Sequence, residues 1–210
     1  MLDRLGYRSS QQEFFNNPQV GGSVFRPEHI RWATLPDGVP EAVVGYLDPS
    51  WSDTGDYKAM VLVARQAGLY YVLATFCRQC PQAEAIAWAY ATHRHWQHLH
   101  PRWYMEGTLL QDRLMDGFRT HGQHLGWQLP IAPDRRQKGH KVARIQSMSV
   151  WFERSELCWL PHLQTDADTR TLHDQLFSFG PGSRAHDDGP DALEGALACL
   201  QHSKTPAKPV

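Results

Sequence analysis

Carboxylates stand at three places where a folded chain could bring them together. Asp48 closes an apolar run of strand type, V-V-G-Y-L-D, and Pro49 stops that run because proline lacks the N–H a central strand needs and restrains the residue before it. Glu106 closes a second strand-like run, R-W-Y-M-E, just before Gly107. His186-Asp187-Asp188-Gly189-Pro190-Asp191 then opens an apolar helical pattern. A single acid suffices to cap a helix and complement its dipole, so a run of three asks for a further role. Asp188 and Asp191 are spaced to share a helix face, whereas Asp187 is turned about 100° from Asp188 and suits a cap or a supporting group. An Asp before Pro is also a common turn former, and it is the company of Glu106, Asp188 and Asp191 that gives Asp48 its weight. Clustered carboxylates offer the hard oxygen donors that Mg2+ prefers, unlike a His or Cys cage.

The elements that must position these acids can be read from the pattern. Lys58–Gln66 and Leu69–Cys77 read as two further strands joined by a turn at Ala67-Gly68, and the Ser, Asp, Thr and Gly loop before them holds Asp53 and Asp56. From Pro81 to His98 the apolar spacing allows a helix that crosses back over the sheet and lays the Glu106 strand beside the Asp48 strand, parallel to it. A helix over 109–121, a short strand over 126–129 and a helix over 139–150 follow. The amphipathic pattern over 165–179 has an N-cap at Thr165-Asp166, and the last helix covers 188–202. The expected fold class is α/β, a central mixed sheet flanked by helices. Residues 1–40, broken by prolines and glycines, read as an arm, 41–203 as the domain and 204–210 as a tail.

Composition narrows the function classes. A chain of 210 residues with 41% hydrophobic and 20% charged residues suits one globular domain with a full core. No run approaches the roughly 18 to 20 apolar residues of a membrane span, and the first residues lack a signal-peptide core, so the expected home is the cytoplasm. The net charge of -1 speaks against a high-affinity, free-standing DNA binder, although Arg135, Arg136, Lys138, Lys141 and Arg144 form a local basic cluster. Four scattered cysteines exclude a disulfide scaffold, and Cys77-x-x-Cys80 lacks a second half for zinc. The histidines of His93 to His100 have no pair four residues apart and read as a solvated helix end. No phosphate-binding G-x-x-x-x-G-K-[ST] loop occurs.

The succession L-D-P-S with D-Y-K-A after it, then Y-M-E-G with Gln111 five residues beyond the Glu, then H-D-D-G-P-D-A-L-E-G-A, resembles the nuclease domain of the large terminase subunit of tailed bacteriophages and prophages. The segments Q-Q-E-F-F-N-N-P (Gln11 to Pro18) and G-S-V-F (Gly22 to Phe25) are similar to the stretch joining a terminase's ATPase to its nuclease. Lys141 to Ile145 followed by Phe152 to Trp159 resembles the family's basic helix and hairpin-like excursion. The resemblance implies an RNase H-like fold and a metal-dependent endonuclease that cuts concatemeric double-stranded DNA with little sequence preference. It implies partners too: the ATPase domain, the small terminase subunit and the portal, in the host bacterial cytoplasm.

Phosphodiester hydrolysis needs an in-line nucleophile and neutralisation of charge on the phosphorane and leaving oxygen, tasks shared by two divalent ions about 3.5 to 4 Å apart. By resemblance, Asp48 bridges two Mg2+ or Mn2+ ions, Glu106 holds one and Asp188 the other, and Asp191 completes the site as in resolvase-like relatives. Asp187, Asp56 and His186 are candidate supporting groups, and Lys138, Lys141 and Arg144 are candidate contacts to DNA phosphates. Two alternatives stand beside this reading. One is a non-catalytic DNA-binding or docking module of a packaging motor, and the other is a Holliday-junction-type resolvase acting as a symmetric dimer.

Overall fold

The computed structural model describes residues 24–48, 57–106, 111–180, 183 and 185–202, with residues 111–113 described by their backbone alone. Asp53, Asp56, the segment Gln11 to Pro18 and the tail 204–210 lie outside the described residues, as does the side chain of Gln111. The strands are β1 (Arg31–Trp32), β2 (Ala42–Asp48), β3 (Lys58–Gln66), β4 (Leu69–Arg78), β5 (Arg102–Glu106), β6 (Ile131–Asp134) and β7 (Leu157–Trp159). They form one seven-stranded sheet in the order β1-β7-β4-β3-β2-β5-β6. β3 runs antiparallel to β2 and β4, while β5 lies parallel to β2, β6 parallel to β5, and β7 parallel to both β4 and β1. The antiparallel trio and the parallel crossover from β4 to β5 are those that the turn and helix lengths predict.

β3 sits near the middle and is buried along nearly its whole length, which is why its sequence is a continuous apolar run and not an alternation. Ala67 and Gly68 close the β3–β4 hairpin with φ of 52° and 78°, the left-handed pair that a two-residue turn needs to match strand twist. On one face lie α1 (Gln82–Trp96) and α2 (Gln111–Leu125); α3 (Lys141–Ser147) and α4 (Ser149–Glu153) follow in the chain. The other face is covered by α5 (Ala167–Ser178) and α6 (Asp188–His202), which pack on β4 and on β2 with β3 respectively. Asp166 caps α5, its carboxylate accepting the Thr169 N–H at 2.7 Å. No described helix is long and apolar enough to cross a membrane.

Several local expectations meet a different outcome. The strand expected over 126–129 is displaced to Ile131–Asp134, because Gly126, with φ of 75°, ends α2 and the chain needs the following residues to reach the sheet edge. The helix expected over 139–150 breaks at Met148 into α3 and α4, and Met148 is fully buried there. The hairpin-like excursion after it is a single strand, β7, inserted between β1 and β4 with all three residues buried. Part of the segment read as an arm joins that edge: Arg31 and Trp32 pair with Cys158 and Trp159, and Phe25 packs edge-on against Phe152 with ring centroids 5.0 Å apart. His93, read as part of a solvated helix end, accepts a hydrogen bond from the Trp103 indole N–H at 3.1 Å and so ties α1 to β5.

Candidate metal centre

β2 and β5 are parallel neighbours in a register that sets Leu47 beside Met105, so the acids that end them, Asp48 and Glu106, emerge side by side at the same edge of the sheet. α6 starts over that edge. Its backbone approaches β2 closely, since a Cβ added at Gly195 would lie 2.4 Å from the Tyr46 ring, and only glycine permits that distance. The outcome is a group of three carboxylates, Asp48, Glu106 and Asp191, whose nearest oxygens all lie within 4.8 Å of one another. Asp188, one turn earlier on α6, lies outside that group but near enough for its charge to act on Asp48.

Each acid has different company. Asp191 is buried, with Arg144 Nη2 3.1 Å from its Oδ1 and Lys141 Nζ 3.3 Å from its Oδ2. Glu106 takes Lys138 Nζ at 3.0 Å. The Asp48 carboxyl has no hydrogen-bond or ion-pair partner among the described residues, although its backbone lies in the β2–β3 ladder opposite Ala59. Burial, with Asp191, Asp188 and Glu106 adding repulsion and Lys141 opposing it, pushes the Asp48 carboxyl up to about 8. Burial likewise raises Asp188, partly offset by Lys141.

The supporting candidates fall around this centre. Asp187 offers its main-chain carbonyl to the Asp191 N–H at 2.9 Å, so it caps α6 through its backbone, while its carboxylate takes Lys141 Nζ at 2.8 Å. His186 packs edge-on against Tyr57, ring centroids 4.8 Å apart, with Nδ1 3.8 Å from Asp188 Oδ2. Lys138, Lys141 and Arg144, expected to face DNA, all point instead at carboxylates of the centre; Arg144 bridges Asp191 and Glu194.

Sequence reading missed Asp134, Tyr46, Arg136 and Glu194. Asp134 ends β6 beside Glu106, the same acid-at-a-strand-end signal as Asp48 and Glu106, hidden in the sequence because β6 begins several residues beyond the strand that the local pattern predicts. Burial alone would raise Asp134, but the Arg136 fork, with Nε 2.9 Å from Oδ1, and the Tyr46 hydroxyl, donating to Oδ2 at 2.9 Å, hold it down at about 2. Glu194 continues the spacing of Asp188 and Asp191 along one helix face, a readable signal. Asp134 and Glu194 are thus committed to arginines, while Asp48 faces other acids without a cation of its own. An all-oxygen donor set with an unpartnered, repelled carboxylate at its middle fits a hard divalent cation such as Mg2+ or Mn2+.

No protein-family model matches the chain, and no curated protein matches it in sequence. Solved structures do share its fold. The human cytomegalovirus terminase nuclease domain, Mn-soaked and with inhibitor bound, superposes with a TM-score of 0.61 at 15% identity, over 83% of this chain and 94% of that one. The P22 large terminase nuclease domain gives 0.60 at 11% identity, over 88% and 95%. The large terminase of a thermophilic bacteriophage gives 0.59 at 10% identity, over 94% of this chain and 51% of that longer one. The fold is therefore the RNase H-like α/β fold of terminase nuclease domains.

Proposed function

We propose that this chain is a metal-dependent DNA endonuclease, the nuclease domain of a phage or prophage packaging terminase. The observation that carries the reading is the convergence of Asp48, Glu106 and Asp191 within 4.8 Å on a fold shared with terminase nuclease domains. Asp48, Glu106 and Asp191 would hold divalent cations, with Asp188 as the acid able to join them. When bound, such ions activate a water and neutralise charge on the attacked phosphate. The chain's own part is positional. Asp48 presents two carboxylate oxygens unclaimed by the described residues, and Lys138 holds Glu106. Arg144 fixes Asp191, and the buried Asp134–Arg136 fork fixes Tyr46 and, through it, Lys138.

Double-stranded DNA is the substrate this reading assigns, contacted through its phosphates, which carry no sequence information, and so cut with little sequence preference. The ATPase, small subunit and portal of a packaging machine are the corresponding partners. A second reading, a non-catalytic docking module, draws on the engagement of Lys138, Lys141 and Arg144 with acids, which removes them as ready phosphate contacts. Incubating the protein with supercoiled plasmid in Mg2+ or Mn2+ separates the two. The nuclease reading expects nicked and linear products that vanish in excess EDTA. No cleavage at any metal concentration, with duplex binding intact, supports docking instead.

A further inference from the structure

Beside the acids, on the same side of the sheet, an open cleft of about 550 Å³ runs between β5, β6 and the C-terminal half of α6. Its lining carries three arginines, Arg102, Arg135 and Arg136, with Tyr104 and His202 beside them. Arg136 is committed to Asp134, which neutralises the one acid of the lining. Arg102 and Arg135 are exposed and make no ion pair among the described residues. The cleft lies on the same side of the sheet as the proposed metal centre, because Arg102, Tyr104 and Glu106 alternate along β5 and so share one side of it, the side on which Tyr46 packs beneath α6. Four residues of strand separate Arg102 from Glu106, about 13 Å at roughly 3.3 Å per residue. A DNA strand advances about 3.4 Å along the axis per phosphate, so Arg102 stands about four phosphates from Glu106, while Arg135 follows Asp134, the register partner of Glu106, and closes the end of the cleft nearer the acids.

We propose that this cleft is a backbone-phosphate subsite, in which Arg102 and Arg135 hold a phosphodiester of the substrate duplex a few nucleotides from the phosphate at the acids. The inference rests on the nuclease reading and refines it, since Lys138, Lys141 and Arg144 are occupied by carboxylates, whereas Arg102 and Arg135 make no ion pair among the described residues. The chemistry favours arginine at the site: a planar guanidinium offers a phosphate two parallel N–H donors. An open trough, unlike an enclosed nest of donors, suits one phosphate of a chain passing through and not a small free anion.

Equilibrium binding of a labelled duplex by the full chain carrying Asp48→Asn, in Mg2+ over a series of salt concentrations, tests the proposal. Arg102→Ala and Arg135→Ala, added singly, should each make the slope of log K against log salt shallower by about one, and together by about two. Arg94→Ala, an exposed arginine of α1 on the opposite face, should leave the slope unchanged. Inorganic phosphate, added at matched ionic strength, should not displace the duplex; displacement that depends on Arg102 would identify a small-anion site and overturn the proposal. An unchanged slope in the double variant, while the unmodified protein cuts plasmid in Mn2+, overturns the subsite and leaves the nuclease reading standing. Neither duplex binding nor Mn2+-dependent cutting overturns both.

Discussion

Asp48 is an acid facing acids, and two measurable properties follow from that. Its carboxyl, raised to about 8, keeps its proton where the same group in the unfolded chain, near 3.8, has lost it. The metal-free folded state therefore binds more protons between these values, and this group's contribution to stability is full below about pH 4 and lost as pH rises through about 8. Asp48→Asn removes that dependence. In EDTA the melting temperature of the variant should equal or exceed that of the unmodified protein at pH 8, with the advantage shrinking toward pH 5, while plasmid cutting is abolished. Because the proton must leave before a cation binds, Mn2+ affinity of the unmodified protein should climb by about tenfold per pH unit below pH 8 and then level off, as titration calorimetry can read. The acids of α6 rank by position. Asp191→Asn removes an oxygen of the converging group and should weaken Mn2+ at least about tenfold, whereas Asp187→Asn, whose carboxylate lies outside that group and takes Lys141, should cost much less. A result in which Asp187→Asn is dead and Asp191→Asn binds normally would place the centre elsewhere on the helix.

At the scale of elements, α6 and α3 form an electrostatic lock over the sheet edge. Arg144 of α3 is the shared counterion of Asp191 and Glu194, all three side chains being largely buried. Arg144→Met takes the ion-pair partner from the buried Glu194 and leaves Asp191 with Lys141 alone, and should destabilise the metal-free protein by about 3 kcal/mol in urea unfolding. Saturating Mn2+ should recover a larger fraction of stability in this variant than it adds to the unmodified protein, since the ion neutralises Asp191. A purely packing role for Arg144 predicts equal metal effects in both. The other determinant is the close contact of α6 with β2. Gly195→Ala drives a methyl into Tyr46, and the resulting overpacking should cost about 1–3 kcal/mol. As the helix is pushed outward, Asp191 moves away from Asp48, so Mn2+ affinity should fall although no acid has been touched.

For the whole molecule, a net charge of -1 hides a division of labour. Acids and their counterions gather at one sheet edge, and the arginines of the β5–β6–α6 cleft stand beside them. Binding to duplex should therefore be local, phosphate-directed and salt-sensitive, and plasmid cutting should fall steeply as salt rises without any change in the sites cut. Cutting at a few fixed sequences, unaffected by salt, would contradict this.

The sequence by itself determined the strands with strong local signals. Asp48-Pro49 ends β2, the left-handed Ala67-Gly68 pair turns β3 into β4, and the helix-length link to Arg102 forces β5 to run parallel to β2, which already places Glu106 beside Asp48. The start of α6 at Asp188 was equally legible, because acids, Gly-Pro and an apolar period coincide there. Short edge elements were not, since β6 and β7 owe their existence to partners far along the chain and carry little local preference. Nor could spacing decide which acid of α6 meets Asp48. Asp188 and Asp191 share a face, and it is the depth at which Gly195 lets the helix settle on Tyr46 that turns Asp191 into the group. The fate of the basic cluster was likewise tertiary: a lysine or arginine is attracted as well by a carboxylate as by a phosphate, and only the fold put Lys138, Lys141 and Arg144 within reach of the acids.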